Sequence, residues 1–349
     1  MAADRRARAG DRAEDPLVLL VTSSGGHLSH LLELAPFWQA RRRAWVSFEV
    51  PDAVSRLDGE DVIWAYHPTT RNVINLVRNL YLAWRELRRR RPALIVSTGA
   101  GVAVPFFWLG RRFGARTVFL EVYDRIDSAT MTGRLVRRTS DAMLVQWPEQ
   151  AGLYPNAEVM GTIWPDSPPT EPGVLDEARD PARRPLVLVT VGTDHHPYDR
   201  LVSWAAQWAD EHEGDAQVVI QHGTSPDPGG AARRAPAMDS AELLGWMRRA
   251  DAVVCAAGPG TLMDALHAGV RPIVVPRRPE LGEHVDGHQV AFAGVIGERG
   301  VALRADSAAE LRRHLDGLFG DPDAMRIDPL PSGSAPGVAR VTQRLEQLL

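Results

Sequence analysis

Two glycine-rich turns, each set between a short apolar run and a helix-like pattern, lie in opposite halves of the chain. The first is Val18-Leu-Leu-Val-Thr-Ser-Ser-Gly-Gly-His27 and the second is Val253-Val-Cys-Ala-Ala-Gly-Pro-Gly-Thr-Leu-Met-Asp264. A strand that turns through glycine into a helix brings unpaired backbone N–H groups to the carboxyl end of a sheet, where an anionic or phosphorylated ligand binds well. One such turn in each half predicts two α/β domains facing a cleft.

The rest of the chain fits that frame. Apolar or β-branched runs at 17–22, 44–50, 93–97, 117–121 and 142–146 alternate with helical patterns such as 29–42 and 72–91. A Pro-rich polar stretch then interrupts the alternation, and runs at 186–191, 217–221, 252–255 and 272–275 resume it, with helical patterns at 201–211, 241–249, 261–268 and 308–318. The expected layout is a disordered leader (1–15), a first Rossmann-like domain (16–165), a linker (166–185), a second domain (186–325), and a loop with a last helix (326–349) packing back on the first domain.

Composition narrows the chemistry. The 349 residues suffice for two cores, and a net charge of −4 without a large basic block gives no footprint for nucleic acid. The chain has no lysine, which removes Schiff-base catalysis and the P-loop lysine. The single cysteine, Cys255, ends an apolar run and reads as a buried reduced thiol in a cytoplasmic setting. Neither a membrane-spanning stretch nor a signal-peptide pattern is expected.

The stretch from Glu121 through Val136 and Asp141-Ala-Met-Leu-Val-Gln-Trp-Pro148, with Ser23-Ser-Gly-Gly-His27 and Ser97-Thr-Gly-Ala-Gly101 upstream, resembles the membrane-associated subunit of the dolichol-pathway UDP-N-acetylglucosamine transferase. Val189-Thr-Val-Gly-Thr193, Tyr198-Asp-Arg-Leu201, Gly258-Pro-Gly-Thr261, Ile273-Val-Val-Pro276 and His288-Gln289 resemble its catalytic partner. The resemblance implies a one-chain fusion with the GT-B architecture and a family 28-like second domain. It implies inverting transfer of a hexose from a UDP-sugar to a hydroxyl of a polyprenyl-diphosphate-linked acceptor. N-acetylglucosamine is the leading donor sugar, with galactose, glucose and glucuronic acid as alternatives, and the loop from Pro279 to Gln289 is expected to discriminate among them.

The Gly258-Pro259-Gly260-Thr261 turn offers close backbone approach and a helix start to the donor diphosphate, Gly192 and Thr193 are expected to face the same donor cleft, and the resemblance assigns Asp264 to the ribose and His288 and Gln289 to the diphosphate or sugar. The competing reading of Thr261 and Asp264 is a capping box. His27 is the candidate general base, against a purely positional hydrogen bond; Glu121 and Asp124 are rival bases, whose ordinary fate would be ion pairing with Arg125 or Arg134. Gly25, Gly26, Gly99, Gly101, Arg125, Ser128 and Thr132 are the acceptor-side candidates, with Arg125 suited to a diphosphate.

Val73, Ile74, Leu76, Val77, Leu80, Tyr81, Trp84 and Leu87 form one helical stripe, for which burial in the core is favoured over a membrane surface. Ala256 stands where the catalytic subunit has histidine, and His195 and His196 are candidates to compensate. The only Asp-x-Asp candidate, Asp321-Pro-Asp323, reads as a turn, so neither metal dependence nor a cofactor is expected. Expected partners are the UDP-sugar, a lipid-linked acceptor and a membrane surface, with a peripheral cytoplasmic location; oligomeric state is left open. A UDP-sugar 2-epimerase and a non-catalytic UDP-sugar-binding scaffold are the alternatives.

Overall fold

The computed structural model describes residues 15–69, 72–164 and 183–349. The leader through residue 14 and the linker from 166 to 182 therefore lie outside the described residues. The chain divides into two compact units: Met1–Trp164 with Ser332–Leu349, and Pro165–Pro331.

The first unit runs β1 (Val18–Val21), α1 (Gly26–Glu33), α2 (Ala35–Trp38), β2 (Arg43–Phe48), α3 (Pro51–Arg56), β3 (Val62–Ala65), α4 (Val73–Arg90), β4 (Leu94–Ser97), α5 (Ala103–Gly110), β5 (Arg116–Leu120), α6 (Met131–Val136), β6 (Ala142–Val145) and β7 (Ala157–Val159). Its seven strands pair in the order β3-β2-β1-β4-β5-β6-β7, all parallel. Because helices cover both faces, β1, β4 and β6 are buried at every position, which is why they appear in the sequence as continuous apolar runs. The single helix expected over 29–42 is instead two, since Pro36 brings no N–H to an i→i−4 bond and the chain restarts at Ala35.

The second unit comprises β8 (Leu186–Thr190), α7 (Asp199–Glu211), β9 (Gln217–Gln221), β10 (Arg233–Ala235), α8 (Ser240–Arg249), β11 (Ala252–Ala256), α9 (Pro259–His267), β12 (Ile273–Val275), α10 (His288–Glu298), β13 (Leu303–Arg304) and α11 (Ala308–Asp316). Six parallel strands pair as β10-β9-β8-β11-β12-β13 around a separate core. α12 (Pro336–Leu348) belongs to the first unit. Arg41 pairs with Glu346 at 3.0 Å, Arg344 with Glu158 at 2.8 Å, and Gly333 N–H donates to Glu33 at 2.8 Å.

Helix α4 overturns the expected burial of the apolar stripe. Its buried face carries Asn75, Asn79, Leu82, Ala83, Glu86 and Leu87, while Val73, Ile74, Val77, Tyr81 and Trp84 are exposed. The inward asparagines explain the rotation. Asn79 accepts from Tyr66 N–H at 2.9 Å and donates to Tyr66 carbonyl at 2.8 Å, as a neighbouring strand would, and Asn75 donates to the Pro68 carbonyl. Satisfying that backbone outweighs hiding a few apolar side chains, because a buried unpaired peptide group costs about 1–3 kcal/mol.

Candidate functional site

In each sheet the strand order reverses between two central strands, and the loops leaving those strands carry the glycine turns. This is the topological switch point, where doubly wound sheets bind ligands.

In the first unit the switch lies between β1 and β4. Gly25, at φ 63°, turns the chain into α1 and donates its N–H to Asp52 at 2.7 Å. His27 follows in the first helical turn. Its Nδ1 lies 2.9 Å from the Thr98 carbonyl, and Thr98 Oγ1 donates to the His27 carbonyl at 2.7 Å. A carbonyl can only accept, so Nδ1 carries the proton and Nε2 keeps a lone pair. Burial lowers the His27 pKa from its ordinary value, although the Thr98 bond and the charge of Asp124 pull it upward. The ring is thus a neutral base at neutral pH. Gly99, at φ 125°, makes room for it: a Cβ there would stand 2.7 Å from His27 Cε1. Gly101 packs in the same way against Thr69, 3.0 Å from where a Cβ would be.

Glu121, a rival base, is tied up in hydrogen bonds. Its carboxylate is fully buried and accepts from Val122 N–H at 2.9 Å, from Thr130 N–H and Oγ1 at 3.2 and 3.1 Å, and from the Tyr154 hydroxyl. Burial raises its pKa, and every bond fastens the loop after β5. The carboxylate is thereby engaged in holding the loop, while Asp124 is the acid whose charge reaches His27.

That loop is held from several sides. Gln150 donates to the Val122 and Arg125 carbonyls at 3.0 and 2.7 Å, Gln146 donates to the Glu121 carbonyl at 2.9 Å, and Trp147 Nε1 donates to the Tyr123 carbonyl at 2.7 Å. Arg125 and Ser128 remain partly exposed on it, whereas Thr132 is buried in the first turn of α6 and is not displayed to a ligand.

His30 was missed at the sequence level. Nδ1 donates to the Gly26 carbonyl at 2.7 Å, Nε2 accepts from Tyr123 N–H at 3.0 Å, and the ring stacks on Trp164 at 4.2 Å. Both nitrogens are used, and burial pushes its pKa down to about 4. It ties the glycine turn to the Arg125 loop. Its only sequence signal is a spacing of three from His27, which places it on the inward side of α1.

In the second unit the switch lies between β8 and β11. Gly192, at φ 75°, bends the β8 exit, leaving Thr193 exposed, and Thr261 Oγ1 lies 3.8 Å from where a Gly192 Cβ would be. Helix α9 starts earlier than expected, at Pro259, with Gly258 as N-cap and no side-chain cap. The capping-box alternative is thereby excluded, because Thr261 is already the third helical residue. The N–H groups of Gly260 and Thr261 sit at a helix N-terminus, where the macrodipole favours an anion. Asp264 lies one turn further in, partly buried.

The buried Arg277, also missed at the sequence level, organises the facing loops. Its guanidinium donates to the carbonyls of His196 (2.8 Å), Glu283 (3.0 Å) and Val191 (2.9 Å), and it lies over the Tyr198 ring. Gln289 Oε1 accepts from Arg277 N–H at 3.2 Å, which leaves its Nε2 to donate. An Arg200–Glu283 pair at 2.8 Å closes the same segment. His288 Nδ1 is bonded to Asp286 and His196 Nδ1 to Asp194, while His195 is exposed beside His196.

Comparison with known proteins agrees with these units. Residues 186–326 match the glycosyltransferase family 28 C-terminal domain, and residues 66–163 match the family described as oligosaccharide biosynthesis protein Alg14 like. A UDP-N-acetylglucosamine--N-acetylmuramyl-(pentapeptide) pyrophosphoryl-undecaprenol N-acetylglucosamine transferase of Xylella fastidiosa (strain M12) is 30% identical over 71% of this chain and 67% of its own. The enzyme of the same name from Xanthomonas euvesicatoria pv. vesicatoria (strain 85-10) is 26% identical over 88% and 74%. In fold, the chain is similar to Acinetobacter baumannii MurG (TM-score 0.55, 18% identity, 95% of this chain and 99% of that one). It is also similar to a UDP-N-acetylglucosamine 2-epimerase from Listeria monocytogenes (TM-score 0.63, 12% identity, 95% and 96%).

Two parallel doubly wound units with a glycine turn at each switch point make up the GT-B fold. More particularly, the chain belongs to glycosyltransferase family 28, with an Alg14-like first half and a family 28 second half on one polypeptide.

Proposed function

We propose that this enzyme transfers N-acetylglucosamine from UDP-N-acetylglucosamine to a hydroxyl of a polyprenyl-diphosphate-linked acceptor, with inversion at the anomeric carbon. The observation that carries the donor half is the start of α9: a helix N-terminus at the switch point, opened by Gly258-Pro-Gly260 and capped by no side chain. The diphosphate lies on the Gly260 and Thr261 N–H groups, so the charge of the departing UDP meets the positive end of the helix. Asp264 accepts from the ribose hydroxyls, and Gln289 Nε2 and the Gly192–Thr193 turn complete the donor pocket. In the other unit His27 Nε2 takes the proton of the acceptor hydroxyl, while Arg125 and Ser128 hold the acceptor diphosphate.

The lipid portion of the acceptor is met by the exposed faces of α4, α5 and α6. Val73 (71% exposed), Ile74 (67%), Tyr81 (63%), Trp108 and Met131 (70%) are accompanied by exposed Arg85, Arg88, Arg89, Arg112 and Arg134. An apolar patch among arginines suits an anionic membrane surface. Among the described residues no helix is long and apolar enough to cross a membrane, so this reading is of peripheral contact.

Isothermal titration with UDP, UDP-N-acetylglucosamine and UDP-galactose, with NADH as control, tests the donor half. Binding of the UDP compounds that disappears in Asp264→Ala is the expected result; a folded protein that binds none of them overturns the reading.

A further inference from the structure

Four imidazoles and two carboxylates gather in the second unit, contributed by the loop after β8 (Asp194, His195, His196) and the segment leading into α10 (His284, Asp286, His288). An anion alone does not account for the set, since Asp194 and Asp286 would repel it.

The geometry points to a zinc site formed by His284 Nδ1, Asp286 Oδ1 and His288 Nδ1, with Asp194 orienting His284 from behind. His284 Nδ1 lies 3.8 Å from Asp286 Oδ1, and His288 Nδ1 bonds the same oxygen. Ligand atoms at bond lengths of about 2.0–2.2 Å in a tetrahedral set stand roughly 3.3–3.6 Å apart; the His284–Asp286 pair is already near that spacing, the hydrogen-bonded His288–Asp286 pair must open to admit an ion, and the ligand atoms of all three lie within 4.8 Å of one another. The opposite nitrogen of His284, Nε2, lies 3.3 Å from Asp194 Oδ2. A carboxylate accepting the far N–H of a ligating histidine is the arrangement that fixes the tautomer and raises ligand basicity at zinc centres. With Nε2–H directed to Asp194, the lone pair of His284 Nδ1 faces Asp286, where it accepts from the backbone N–H at 3.4 Å, a long bond that an ion would displace. The ring also packs edge-on to His288 at 4.7 Å.

In the sequence the spacing His284-x-Asp286-x-His288 lacks the paired aspartates of an Asp-x-Asp metal signature and does not stand out. It becomes a ligand set only when Arg277 and the Arg200–Glu283 pair fold the segment back. His284 and His288 are largely buried whereas Asp286 is 38% exposed, which leaves an entry path. Three protein ligands keep a fourth position for water or a substrate oxygen. Ligation needs the Nδ1 lone pair of His288, so Zn²⁺ would displace the proton now between Nδ1 and Asp286, which passes to Nε2 of a neutral ring and to solvent only from an imidazolium. The ion would staple the segment between β12 and α10, independently of which sugar the enzyme transfers.

The test is zinc titration of the full chain after dialysis against chelator, in the absence of any nucleotide, with stoichiometry by elemental analysis and Co²⁺ absorption as the signature of tetrahedral N/O ligation. One ion per chain is expected. Asp286→Asn and His288→Gln should each weaken binding more than tenfold. Asp194→Asn should weaken it about 10–100-fold, as loss of an orienting carboxylate does. His195→Gln should leave it unchanged, and far-ultraviolet dichroism of each metal-free variant checks that it is folded. The absence of stoichiometric zinc, its retention in folded His288→Gln, or its loss in His195→Gln each overturns the assignment. Because no UDP is present, failure here is separate from failure of the transferase reading.

Discussion

His27 and Thr98 hold each other twice, imidazole Nδ1 to carbonyl at 2.9 Å and hydroxyl to the His27 carbonyl at 2.7 Å, so the first turn of α1 is locked to the end of β4. The ring is fixed in the one tautomer that presents Nε2 as a base.

Removing that base should therefore lower turnover without loosening the donor. His27→Gln is expected to reduce kcat by about 10²–10⁴-fold, the usual worth of a general base, with the Kd for UDP unchanged. Since burial depresses the His27 pKa and the neutral ring is the active form, kcat/KM should rise with pH on an acid limb lying below the ordinary histidine value of 6.5 and then level off. A pH–rate profile whose acid limb is unaltered in His27→Gln would rule the role out.

Glu121 gives the opposite pattern. Glu121→Ala leaves the Thr130 and Tyr154 donors unpaired in a buried site and should cost about 1–3 kcal/mol per orphaned group, whereas Glu121→Gln, which keeps one acceptor oxygen for Thr130 and Tyr154 and loses only the one that accepts from Val122 N–H, should retain most activity. Chemical denaturation and kcat on the same samples separate the two effects; a collapse of kcat in a stable Glu121→Gln protein would restore the carboxylate as a base.

His30 makes stability depend on pH. Its folded pKa of about 4 lies below its ordinary 6.5, so the unfolded chain binds the extra proton first and stability declines as pH falls from about 6.5 toward 4. The full loss is about 3 kcal/mol at 1.36 kcal/mol per unit. Denaturant midpoints between pH 4 and 7 should show that slope in the wild type and a shallower one in His30→Gln.

The α4 patch is separable from the fold. Val77→Glu with Tyr81→Glu changes exposed positions, so the thermal midpoint should move little, within about 0.5 kcal/mol per site. Sedimentation with vesicles containing anionic lipid should bind the wild type in a salt-sensitive way and lose the double variant. Equal binding of both would remove this face from the membrane.

Much of this was legible in one dimension. Apolar runs such as Val18–Val21 and Ala252–Ala256 declare buried parallel strands, and a glycine turn after each marks the ligand end of a sheet, because those features depend on local backbone geometry and on burial of both sheet faces. The short strands β3, β7, β10 and β13 were not, since partly exposed strands of two to four residues lack that pattern. The tertiary structure alone decided which face of α4 turns inward, because the choice rests on Asn79 meeting the Tyr66 backbone rather than on the number of apolar residues. It also decided that Glu121 is consumed by Tyr154 and Thr130, that Arg277 gathers the distant carbonyls of Val191 and His196, and that His284 stands against Asp194. Strand and turn propensities are written residue by residue along a chain. The partner of a buried polar group is set by whatever the fold carries to its end, however far away in the chain.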